Sequence, residues 1–166
     1  MPIDSKIWYD LVNTKFGDEY LVLYLRRQRN IRKYFKISTI LFSAGGIFSA
    51  SIMAQIPTII SLVAIALVQS ATSIENFIIH SEDDLDKLSK LRLLYFERTN
   101  KLEELWYALN AKKITNDEAA NEFFSLRKSA REIEELDNKI NVRKFEKLMS
   151  IADKSTRNYL NIYYDE

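Results

Sequence analysis

Cysteine is absent from the 166-residue chain, which excludes disulfides, thiol catalysis and zinc–thiolate sites. A single histidine, His80, cannot form a His-rich metal site on its own. Only three glycines and two prolines occur, so little loop is expected. Charge is missing from one long stretch: no Asp, Glu, Lys or Arg lies between Ile37 and Ile74. Yet 28% of the chain is charged, so the ionic residues are crowded into the flanks of that stretch. The N-terminal MPIDSKIWYD has no basic region leading into an apolar run, and does not read as a signal peptide. The period-two alternation of a strand is found nowhere, so the chain reads as all-α.

The motifs of enzymes are absent as well. Gly45-Gly46 lies inside the uncharged stretch, not between a strand and a helix where a phosphate loop belongs. No serine and histidine are spaced for nucleophilic catalysis. Glu132, Glu134 and Glu135 lie on an exposed helical face and read as solvated surface. Glu82-Asp83-Asp84 stands at a helix start, where acids complement the helix dipole without a metal. The expectation is a protein without catalytic residues, metal or cofactor. His80 reads as interfacial, with pH sensing as the alternative.

What is present begins with the uncharged stretch itself. A bilayer core is roughly 30 Å thick and needs roughly 20 apolar residues per helical crossing. The stretch is about twice that, and Pro57 punctuates it, a residue welcome in a helix's first turn and poor in its interior. The pattern predicts two helices, 37–54 and 57–79, joined by a tight turn. The competing reading is a buried hairpin wrapped by the rest of a soluble domain. Arg26, Arg27, Arg29, Arg32, Lys33 and Lys36 precede the first span, and the acids Glu82, Asp83, Asp84 and Asp86, then Lys87, Lys90 and Arg92, follow the second. Basic residues near a span stay cytoplasmic, so both termini are expected on the cytoplasmic side. The basic run has three readings: a positive-inside anchor, a contact for anionic lipid headgroups, and a site for a phosphorylated ligand.

The spans carry polar and small residues at helical spacing. Thr58, Ser61, Gln69, Thr72 and Asn76 share a face of the second, interrupted by Ile65. On the first, Thr39, Ser43, Gly46, Ala50 and Ala54 share a face, and Gly45 and Ser49 add a small-xxx-small pair. Small residues admit close helix approach and polar ones bond across it. The polar stripe either packs helices or lines a water-filled path in an oligomer.

The flanks read as helices. The N-terminal part predicts one helix over 5–15, a break at Phe16-Gly17-Asp18, and a second running on into the membrane. Trp8, Tyr9, Tyr20 and Tyr24 suit either lipid headgroups or packing on the C-terminal helices. Ser81 with Asp84 and Thr115 with Glu118 form capping boxes. Leu85, Leu88, Leu91, Tyr95, Leu102, Leu105 and Leu109 form a heptad seam on a helix over 82–112, with Arg98 filling one slot. A helix over 116–138 presents Ala119, Phe123, Leu126, Ala130, Ile133 and Leu136. A last one over 142–163 presents Phe145, Leu148, Met149, Ala152, Tyr159 and Ile162. The predicted organisation is N-terminal cytoplasmic helices (1–36), a transmembrane hairpin (37–79) and a cytoplasmic helical bundle continuous with it (80–166).

The succession IWYDLV, YLRRQRNIRKYFK, the uncharged hairpin ISTILFSAGGIFSASIMAQIPTIISLVAIALVQSATSI and a leucine-rich helix ending in ELWYALNAKKIT resembles the SLATT family. These are two-transmembrane effectors of bacterial antiphage defence, found beside nucleotide-messenger synthases, nucleotide-sensing domains or reverse transcriptases. The resemblance implies an inner-membrane effector that oligomerises and permeabilises the membrane when a nucleotide signal or partner protein triggers it, arresting growth. It implies a homo-oligomer in the lipid bilayer, a sensor, synthase or reverse-transcriptase partner, and no direct nucleic-acid binding. The alternatives are a non-conducting membrane-anchored scaffold and a membrane-associated subunit of a catalytic complex.

Overall fold

The computed structural model describes residues 1–52, 80–140 and 142–164, with the side chains of all but 41–52 and 129. Four helices account for nearly all of them: α1 (Ile3–Ile52), α2 (Glu82–Asn110), α3 (Asn116–Ile140) and α4 (Glu146–Tyr164). No strand occurs among the described residues, and the chain is all-α. No described helix is long and apolar enough to cross a membrane. Residues 53–79, with the turn and the second expected span, lie outside the description.

The predicted break at Gly17 does not occur; α1 passes through it as helix. The glycine serves packing instead. A Cβ built there would sit 2.5 Å from Cε1 of Tyr95, so only a residue without a side chain lets that ring lie against α1. A mid-helix glycine costs about 1 kcal/mol relative to alanine, which α1 tolerates because tertiary packing supports it on both sides.

One compact unit joins Met1–Leu25 to Asp86–Glu166. Its core holds Ile7 and Leu11 of α1, Leu102 and Leu105 of α2, and Ala119, Phe123 and Leu126 of α3. The heptad seam is buried at Leu85, Leu88, Leu91, Leu102 and Leu105. Arg98, in the slot that breaks it, is buried too. Its guanidinium donates to the Leu126 carbonyl at 2.6 Å and to Asp10 at 2.5 Å, tying three helices together. Further along α1, Asp18 is 3% exposed and accepts from Nε of Arg92 at 2.8 Å. Lys15 reaches Glu19 at 3.0 Å and lies 4.1 Å from the Tyr159 ring centroid. Buried charges this well paired hold register, since a slip would strand one of them in an apolar setting.

Both capping boxes form. Ser81 and Thr115 each accept from a backbone N–H three residues on, and Asp84 and Glu118 reach back to the capping residue's own N–H. The α2 terminus is a Schellman turn: Lys113 N–H donates to the Ala108 carbonyl and Lys112 N–H to that of Leu109. Lys112 takes the left-handed conformation (φ 54°) usual for glycine there. The last helix starts at Glu146, not near 142. Phe145, not a Ser, Thr, Asp or Asn, stands directly before it; the hydroxyl of Tyr20 accepts from Phe145 N–H at 3.1 Å and donates to the Arg143 carbonyl. Its buried residues are Ala152, Thr156 and Leu160, a run of four-residue steps, whereas Ile162 is 67% exposed. The expectation for Ile162 is therefore corrected: the steps from Ala152 set a phase that turns 162 away from the core.

The aromatic residues divide. Tyr20 and Tyr24 are buried and stack toward Phe145. Trp8 packs on Trp106 and edge-on to Tyr164. Tyr9 is 66% exposed.

Candidate functional site

The second compact unit spans Arg26–Leu85. Its described part is the distal half of α1 and the residues leading into α2. Along α1, Arg26, Arg27, Arg29 and Lys33 are exposed and Arg32 is half-buried. The buried member of the basic run is Gln28, 3% exposed, with its side-chain oxygen unbonded. From Tyr34 onward the exposed positions are increasingly apolar: Tyr34, Ile37 and Ile40 are each more than two-fifths exposed, with Lys36 and Ser38 exposed among them. The exposed surface of the helix thus changes from cationic to apolar within about one and a half turns.

The uncharged stretch is bracketed by an ionic contact. Arg32 Nη2 lies 2.7 Å from Glu82 Oε1, and Lys36 Nζ lies 3.7 Å from the same oxygen. The chain therefore returns at Glu82 to the level at which it left Arg32 and Lys36. Between these points lies the whole of the uncharged stretch. His80 Nδ1 is 3.9 Å from Asp84, which also caps α2 through Ser81. Thr39 donates to the Phe35 carbonyl one turn back, a local bond that leaves the helix to solvate its own polar side chain.

Of the residues singled out in the sequence, Arg26, Arg27, Arg29, Arg32 and Lys33 are brought onto the last described turns before the uncharged stretch. Ser43, Gly45, Gly46, Ser49 and Ala50 are helical within α1, and their side chains lie outside the description. Thr58, Ser61, Gln69, Thr72 and Asn76 lie wholly outside it. Sequence reasoning read Glu82 as a flanking acid of little weight for orientation and as a helix-start acid, and missed its cationic partners. The signal was available: an acid directly after the second expected span faces the basic residues directly before the first if the two spans lie side by side. Among the described residues no cluster of His, Asp or Glu could hold a metal.

No protein-family model, curated protein or solved structure matches the chain.

Proposed function

We propose that the chain is a membrane effector of the SLATT type: a two-helix hairpin inserted in the bacterial inner membrane, both termini cytoplasmic, that oligomerises and permeabilises the bilayer on a trigger. The observation that carries this reading is the ionic contact of Arg32 and Lys36 with Glu82, which closes the uncharged stretch on itself. Basic residues at the base of a hairpin hold that end on the cytoplasmic side, and an acid among them offsets their mutual repulsion. The change from cationic to apolar exposure along α1 is what a helix entering a headgroup region requires. A lone hairpin cannot enclose a water path, so conduction needs several copies, with the face of Thr58, Ser61, Gln69 and Thr72 as the proposed lining. The interruption of that face by Ile65 favours a second reading, in which the hairpin only anchors a scaffold and the polar residues bond between helices.

The test is inducible expression in bacteria, following membrane potential and growth together, for the wild type and Gln69→Leu. Depolarisation by the wild type, lost in a mutant that still assembles, supports the effector with its path along this face. Full leakage from an assembled Gln69→Leu overturns that lining. Unchanged potential even with the genomic neighbour co-expressed leaves the anchoring scaffold as the reading. Release of the protein from membranes by alkaline carbonate overturns the hairpin itself.

A further inference from the structure

The arginine that interrupts the leucine seam is not fully used by its structural bonds. A guanidinium has five N–H donors; the side chain of Arg98 is 9% exposed, and its two bonds go to Asp10 and the Leu126 carbonyl. It lines an open cleft of about 490 Å³ bordered by α1, α2 and α3, within the size range of small-molecule sites. Lys6 of α1 and Arg127 of α3, both exposed, stand on its rim. The carboxylates of the lining are Asp10, already bonded to Arg98, and Glu134. Asn13 adds an amide donor, and Tyr95 a hydroxyl that burial, followed by the charge of Asp137, keeps protonated well beyond neutral pH.

We propose that this cleft binds a small organic anion through a phosphate or carboxylate group, held by Arg127 and Lys6 over the buried guanidinium of Arg98. A cation would meet three positive side chains. A purely apolar ligand would leave the remaining N–H donors of the buried Arg98 unanswered. An oxyanion is matched by donors from three different helices, and a cation away from bulk water binds it more strongly than one on an open surface. Seated there, it would bridge Lys6, Arg98 and Arg127, and so cross-link α1, α2 and α3. The proposal does not depend on the membrane reading, since every residue it uses belongs to the unit formed by Met1–Leu25 and Asp86–Glu166.

The test is thermal unfolding of the purified full-length chain in detergent micelles, followed by fluorescence of Trp8 and Trp106. Sodium phosphate, pyrophosphate and citrate are titrated against sodium chloride at equal ionic strength. A saturable rise in Tm beyond the chloride control is expected, because a ligand that binds the folded state alone stabilises it. Arg127→Gln and Lys6→Gln are expected to weaken the apparent affinity about tenfold each, the effect of one lost charge-assisted contact. Both are surface positions, so the unliganded Tm should stay within about 2 °C of wild type. A larger response to phosphate or pyrophosphate assigns a phosphorylated ligand, and a larger response to citrate a carboxylate. No rise above chloride with any of the three, or a rise that Arg127→Gln leaves unchanged, overturns the site. The failure of this proposal leaves carbonate resistance untouched, so it is distinguishable from failure of the hairpin.

Discussion

Gly17 shows how one missing side chain can be read in two ways. In sequence, a glycine between Phe16 and Asp18 looks like punctuation, because glycine weakens a helix interior. In the folded unit it is a seat for the Tyr95 ring, and the helix continues. Gly17→Ala is therefore expected to destabilise the protein by about 1–2 kcal/mol, since overpacking outweighs the gain in helix propensity. Pairing it with Tyr95→Ala should recover part of that loss in a double-mutant cycle of thermal unfolding. An alanine variant more stable than wild type would mean that the glycine has no packing role. The partner ring lies on another helix, so no local pattern could have revealed it. Arg98 is the opposite case: its break in the leucine seam was visible, while its partners Asp10 and Leu126 were not.

At the scale of the element, legibility followed the origin of each boundary. The starts of α2 and α3 are written locally, in Ser81 with Asp84 and Thr115 with Glu118, and both were readable. The Thr115 bonds, the backbone one first, hold the Glu118 carboxyl below its ordinary value of 4.5. A depressed folded-state value means that the contribution is complete above the ordinary value and is lost as pH falls through the lower one. Protection of the first turn of α3, measured as hydrogen exchange relative to the intrinsic rate at each pH, should thus fall on acidification below about pH 4.5, the ordinary carboxylate range, and Glu118→Gln should flatten that dependence. An identical pH response in the variant would remove Glu118 from the cap. The start of α4 has no local signature, which is why the boundary and the phase of Ile162 were misjudged. The uncharged stretch was legible as a candidate hairpin, but its polar face rests on residues outside the described ones.

Over the whole molecule, the two distant parts of the chain that form the first unit are joined by polar bonds as much as by the core. Asp18 with Arg92, Asp10 with Arg98, and Glu19 with Ser155 each link α1 to a helix at least 74 residues away. Tyr20 contributes in the same way, at a separation of 125 residues from Phe145. Tyr20→Phe keeps the ring and removes both hydroxyl bonds. It is expected to cost about 1–2 kcal/mol and to raise hydrogen exchange in the first turn of α4 while α3 stays protected. Equal loss of protection in both helices would show that the hydroxyl supports the unit as a whole.

The same tyrosine bears on the order of assembly. The N-terminus of α4 is specified by a residue synthesised near the beginning of the chain, so its first turn has no completed set of bonds until the two ends of the sequence meet. Loop closure over so long a separation comes late in folding, after local helices have formed. Tyr20 therefore acts as a template: the final helix acquires its starting point only when it reaches α1, whichever of the distant contacts of α1 forms first.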